Sequence, residues 1–245
     1  MDPSSTISIS VDPGMADAIA DQFTLSTDAT GQPVRHAAYT SGRGVLAALY
    51  ETSTGLASAE QDIKRAGLTD PATTDRLRRA ATAKMNAARK SASDGLAALQ
   101  AHVDQINAGI DTELGIQTAR TDVNENARAG EIRSFIRSLP QRERAEAIRR
   151  AITEGDKAVA AAVLSGGSPF ASGITRKELD FARADSEERF CKPAVQLRES
   201  IGKMVGLVET AMNATEKRFG PLTGAGDSPA AKAARSLAAL EGGAA

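Results

Sequence analysis

The chain has 245 residues, of which 25% are charged, and a net charge of −1, so its length allows one large domain or two small ones. That balance demands neither nucleic acid nor a membrane as partner, and no apolar run reaches the length of about eighteen residues that a membrane span needs. Aromatic residues are 3% with no Trp, so burial leans on Ala, which favours thin, closely approaching helices over a thick core and leaves burial to be completed by neighbouring subunits.

The N-terminus, Met1-Asp2-Pro3-Ser4-Ser5, lacks the basic and apolar regions of a signal peptide. Residues 6 to 11 alternate apolar and hydroxyl side chains, as a half-buried strand does. Such a strand would pair with Gln22 to Thr27 or with a sheet on another subunit. Thr27 to Pro33 reads as a loop, and residues 1–40 are expected to form an extended arm.

A helix is predicted from Ser41 to Ala66, with a seam of Val45, Leu49, Thr52, Leu56, Ala59, Ile63 and Ala66 at heptad spacing. Gly67 closes it, and Asp70-Pro71 opens the next helix after a short link, which makes residues 41–126 a long antiparallel hairpin.

The second helix of that hairpin carries the clearest pattern in the chain. Its apolar positions are Leu77, Ala81, Met85, Ala88, Ala92, Leu96, Leu99, Val103, Ile106, Ile110 and Leu114. Steps of four, four and three residues give a nearly straight stripe along a rod of roughly 57 Å, suited to a bundle rather than to a tightly wound coil. Leu96, Leu99, Val103, Ile106, Ile110 and Leu114 are the helix-packing residues, expected to meet the last helix within the chain. The Ala-rich half from Leu77 to Ala92 is expected to meet a neighbour.

Charge along this helix is split. Arg76, Arg78, Arg79, Lys84, Arg89 and Lys90 come with no acid among them, whereas Asp104, Asp111, Glu113, Asp122 and Glu125 follow with only Arg120 opposed. This order runs against the helix macrodipole, so it does not serve helix stability. The six cations are the candidate partner-binding residues. Arg78 and Arg89, like Arg79 and Lys90, stand in line along the rod, as contacts to a phosphate backbone would. No aromatic interleaves for base stacking, so the favoured reading is a solvated flank paired with acids such as Asp180, Asp185, Glu187 and Glu188, or with another chain.

Residues 127–174 read as a small helical cluster. Pro140 opens a helix, Gly155 stops it, Asp156 caps the next, and Gly166-Gly167 ends that one. Ile132, Phe135, Ile136 and Leu139 supply apolar positions, and Pro169-Phe170 is expected to plug the bundle. The Arg-rich helix Arg142 to Arg150, diluted by Glu143 and Glu146, reads as a salt-bridged surface. Thr175 to Glu178 fits a capping box that starts a return helix over 175–219, with Pro193 expected to kink it. Its stripe is Leu197, Ile201, Val205, Val208, Met212 and Phe219. Residues 220–245 are a low-complexity tail, in which Pro229 to Leu240 has the pattern of one short helix that forms on docking.

Catalytic, cofactor and metal signatures are not found. His36 and His102 lack second ligands at helical spacing, and no Cys-x-x-Cys or calcium-loop motif occurs. Cys191 is the only cysteine, which excludes an intrachain disulfide, fits a reducing compartment and reads as a half-buried thiol near the kink. Gly42-Arg43-Gly44 and Gly224-Ala225-Gly226 are fragments of phosphate loops without the completing Lys-Ser/Thr. The sequon Asn213-Ala214-Thr215 lies inside a predicted helix.

One stretch bears a resemblance. Glu131-Ile132-Arg133, Ile136-Arg137-Ser138-Leu139-Pro140, Arg144, Ala151-Ile152, Gly155-Asp156, Ala162-Val163-Leu164-Ser165 and Ser172-Gly173 resemble a segment of helical virion and morphogenesis proteins of tailed bacteriophages. It covers about a fifth of the chain and holds no catalytic residue. The resemblance implies a non-enzymatic structural subunit, made in the bacterial cytoplasm and located in the virion, whose partners are copies of itself and other virion proteins. The alternative function is a nucleic-acid-binding or packaging protein using the basic stripe 76–90. The expected fold is all-α, an elongated hairpin of long helices with a small helical cluster and extended terminal arms.

Overall fold

Helix periodicity and helix punctuation account for nearly every element of the computed structural model, which describes residues 11–67, 70–116, 123–166 and 168–223. The protein is all-α apart from one small hairpin. Two 3-10 segments, Pro13–Met15 and Asp17–Phe23, precede strands β1 (Thr24–Thr27) and β2 (Pro33–Arg35). The helices are α1 (Ala37–Arg65), α2 (Pro71–Glu113), α3 (Val123–Ser138), α4 (Gln141–Glu154), α5 (Lys157–Ser165), α6 (Pro169–Ser172), α7 (Arg176–Phe190) and α8 (Lys192–Phe219). Among the described residues, those up to Gln100 together with those from Ser200 to Thr223 form one compact unit, and those from Ala101 to Glu199 form another, so α2 and α8 each contribute to both.

In the first unit the seams of α1, α2 and α8 meet with very small spacers. An added Cβ on Gly95 of α2 would lie 2.1 Å from Val45 Cγ2 of α1, and one on Gly42 of α1 would lie 2.2 Å from Met204 Cγ of α8. The Ala-rich half of α2 is therefore used inside the chain. Ala81 and Met85 are fully buried with Leu56, Ala57 and Phe219, which corrects the expectation that this face waits for a neighbour. Alanine and glycine permit the close approach that makes such burial effective. The α1 seam is broader than a heptad line, since Leu46, Ser53 and Ala57 are buried alongside Val45, Leu49 and Leu56. A helix contacted by two others needs that wider face. On α8 the buried register is Ile201, Met204, Val208, Ala211, Thr215 and Phe219, while Leu197, Val205 and Met212 are half-buried at its margin.

Residues 11–35 correct the expected arm. Phe23 is fully buried, its ring centroid 5.8 Å from that of Tyr39, and the Tyr39 hydroxyl donates to Asp17 Oδ1 at 2.6 Å. Apolar anchors thus hold this segment on α1, which starts at Ala37 because His36 Nδ1 caps it by accepting from the Ala38 amide at 3.2 Å. β1 pairs antiparallel with β2, Thr27 opposite Pro33 and Ser26 opposite Val34, across a turn tied by Asp28 Oδ1. The strand expected at 6 to 11 falls almost wholly outside the described residues, as does the tail from 224 onward.

The second unit is built on local stop and start signals. α3 ends at Ser138 before Pro140, Gly155 ends α4 in the left-handed region at φ 90°, and Asp156 caps α5 through the amides of Ala158 and Val159. Thr175 and Glu178 form the expected capping box of α7. α5 is the centre, with Ala160 to Leu164 all buried. Ile110 and Leu114 from the packing stripe reach this core, joined by half-buried Ile106, while Leu99 is fully buried in the first unit, and Leu96 and Val103 are half-buried.

Arg144 ties the cluster together. Its guanidinium donates to the carbonyls of Leu139 at 3.0 Å, Arg137 at 2.7 Å and Gly173 at 2.7 Å. These join the end of α3 to the turn after α6, where helix termini leave carbonyls without partners. Arg144, with the carbonyls of Arg137, Leu139 and Gly173, thus forms a helix-joining device.

Two expectations for this region are corrected. The return helix is not one kinked rod but two helices broken at Cys191, because Pro193 has no amide to bond back and is accommodated in the first turn of α8. Phe170 is no plug. It is 89% exposed, while Ser172 and Ile174 occupy the interior positions of that turn.

Candidate functional site

Two groups of exposed side chains are candidates for partner binding, one in each unit. The first is the basic face of α2, where all six cations are exposed. Acids flanking the run satisfy part of it. Asp75 pairs with Arg78 at 3.1 Å, Asp94 pairs with Lys90 at 2.6 Å, and Glu216 of α8 pairs with Arg89 at 2.8 Å. Each pair is open to solvent and contributes at most about 1 kcal/mol. Arg79 makes only a long contact, 3.4 Å, to the Asp75 carbonyl, and no described residue pairs with Arg76 or Lys84. Three of the four acids expected as counter-charges find cations in their own unit. Asp180 pairs with Arg176, Glu188 with Lys192, and Glu187 with both Arg183 and Arg198. Spacing of four residues on α7 brings Arg176 to Asp180 and Arg183 to Glu187, while the other two pairs cross the break at Cys191.

The second candidate is a set of exposed aromatic side chains. Of the six phenylalanines, Phe135 on α3 is 64% exposed, Phe170 on α6 is 89% exposed and Phe181 on α7 is 59% exposed. α3 and α6 are in contact with each other. Phe181 lines a groove of about 400 Å³ between α4 and α7, together with Ala145, Ile148, Glu146 and Glu178. Lys177 stands 5.7 Å from the Phe181 ring centroid. Scattered single apolar residues on a surface are ordinary, but the exposure of three of the chain's six phenylalanines on one unit is not.

Glu187 is held between two guanidinium groups, Arg183 and Arg198. Burial works to raise its pKa, yet hydrogen bonds from Arg198 and Arg183 outweigh that and hold the carboxyl below its ordinary value. A depressed carboxylate contributes stability above its unfolded pKa of about 4.3, and the contribution is lost as pH falls through the lower folded value. We expect Glu187→Gln to cost about 2 kcal/mol at pH 7. The gap from the parent should close between pH 4.5 and pH 2.5 in urea unfolding series, about the carboxylate range. A gap independent of pH would refute the assignment.

Cys191 is buried, not half-buried, and burial followed by the charge of Glu113 pushes its thiol above the ordinary value, the opposite of an activated nucleophile. Among the described residues no group of three His, Cys, Asp or Glu side chains is placed to hold a metal ion. No helix of the described residues is long and apolar enough to cross a membrane. No protein-family model, curated protein or solved structure matches the chain.

Proposed function

We propose that this chain is a non-enzymatic structural subunit of a tailed-bacteriophage particle, assembling with copies of itself and other virion proteins. The observation that carries this reading is the exposure of Phe135, Phe170 and Phe181 on one unit. Two of the three lie within the stretch that resembles bacteriophage virion proteins. Burying a phenylalanine side chain contributes about 1.5–3 kcal/mol, so three give an interface a substantial apolar anchor.

Nucleic-acid binding through the stripe 76–90 has less support. Arg78, Arg89 and Lys90 are already held in ion pairs, and α2 contains no aromatic residue for stacking.

Light scattering on the purified full chain tests the proposal. The parent should form a defined oligomer at micromolar concentration, and the triple variant Phe135→Ser, Phe170→Ser, Phe181→Ser should shift it toward monomer with unchanged helicity. A parent that remains a compact monomer, or a triple variant with the parent's mass, overturns this reading.

A further inference from the structure

The helix pair α1 and α2 leaves an open groove of about 460 Å³ on one side. Its lining is mostly small, Ala48, Gly55 and Ala59 from α1 and Ala80, Ala87 and Ser91 from α2, with Leu56 and Leu77 as the larger apolar members. Two charged residues stand on opposite walls, Glu51 and Lys84, and neither pairs with a described residue. Small side chains and two unused opposite charges suit a helix with an alanine face and charges of both signs.

The chain carries such a segment. From Pro229 to Leu240 the sequence places Ala230, Ala233, Ala234, Leu237 and Ala238 at steps of three, one, three and one, one face of a helix. Lys232 and Arg235 precede Glu241, supplying partners for Glu51 and Lys84.

The route is short enough. Leu222 packs against the cluster of Leu56, Ala81, Met85 and Phe219, and the Thr223 carbonyl accepts from Thr82 Oγ1 of α2 at 3.4 Å. The described chain therefore ends on the flank of the helix that forms one wall of the groove. Six residues from Thr223 to Pro229 span up to roughly 20 Å when extended, more than the 10–12 Å or so of a helix with its side chains.

We propose that the α1–α2 groove is the docking site for residues 229–240 of the same chain, seated with the Ala230–Leu237 face on the alanines and Lys232 or Arg235 against Glu51. Docking adds a third helix to the pair.

The chain has no tryptophan, so Leu237→Trp in the full-length protein gives a single fluorescent reporter. The expected result is a blue-shifted emission that does not change on dilution and is lost when the groove is filled by Ala87→Arg. Ala80→Gln, also exposed, provides a second blocking change should the first perturb folding, and circular dichroism checks helicity in each. Emission at the position of solvent-exposed tryptophan overturns the proposal. So does a blue shift that survives both groove variants, which places the segment elsewhere, and so does one that falls on dilution, which places it on a second copy.

Discussion

Replacing Arg144 by Met is expected to cost the second unit about 3 kcal/mol, because one guanidinium serves three carbonyls and methionine serves none. Each charge-assisted bond is worth roughly 1.5–3 kcal/mol, and the three are coupled through one side chain, so their effects do not add. Arg144→Lys should recover only a minor part, since a single ammonium cannot span a planar fork of acceptors. The geometry also fixes its neighbour. Gly173 sits at φ 67°, and an added Cβ would stand 2.6 Å from Arg144 Nη1, so both backbone conformation and the approaching guanidinium require glycine there. Urea unfolding followed by circular dichroism checks the prediction, and a loss below about 1 kcal/mol would show that water replaces the clamp without difficulty.

Gly95→Ala should destabilise the first unit by about 2 kcal/mol, although alanine is the better helix former by about 1 kcal/mol. The added methyl group would lie 2.1 Å from Val45 Cγ2, well inside contact distance. Valine in a helix is held near one χ1 rotamer, so the obstruction cannot swing aside and the helices must separate. The control is Gly206→Ala on α8, whose Cβ would meet nothing within 4 Å and which should stabilise by up to about 1 kcal/mol. The same chemical change thus has opposite signs at two positions. Val45→Ala in the Gly95→Ala background should restore most of the loss, and the double-mutant cycle in thermal unfolding measures the contact directly. Equal effects at Gly95 and Gly206 would refute the close approach.

What could be read from residues alone follows from the range of the interactions. The α2 stripe and the signals at Asp70-Pro71, Pro140, Gly155-Asp156 and Thr175–Glu178 act within a turn or two of helix, and all appear in the fold. Phe135 and Phe170 were read as interior because aromatic residues usually are. Their exposure is set by neighbours: Ile136 takes the buried position beside one, and Ser172 and Ile174 take those beside the other. Gly42 resembled half of a phosphate loop until Met204, distant in sequence, lay against it. The segment 11–35 looked like an arm because the residue that anchors it, Tyr39, belongs to the following helix. Among the candidate cations, position on the rod was legible, whereas the pairing of Arg89 with Glu216 depends on α8 lying alongside.

A seam of alanines and glycines is smooth, and smooth rods slide. Between α1 and α8 the protein sets one soft catch, a hydrogen bond of 3.1 Å between Ser53 and Thr215, both about 1% exposed. Thr215 already gives its proton to the Ala211 carbonyl at 2.9 Å, so Ser53 must be the donor across the helices. Either hydroxyl can turn back onto its own helix after a slip, which keeps the catch weak. Met204 lying over the bare backbone of Gly42 is the hard one, since a shift of one turn would bring a side chain under it. With the ion pair of Arg218 and Glu60 at 2.8 Å they act as a vernier: a steric notch and two polar marks fix which turn of α8 lies beside which turn of α1.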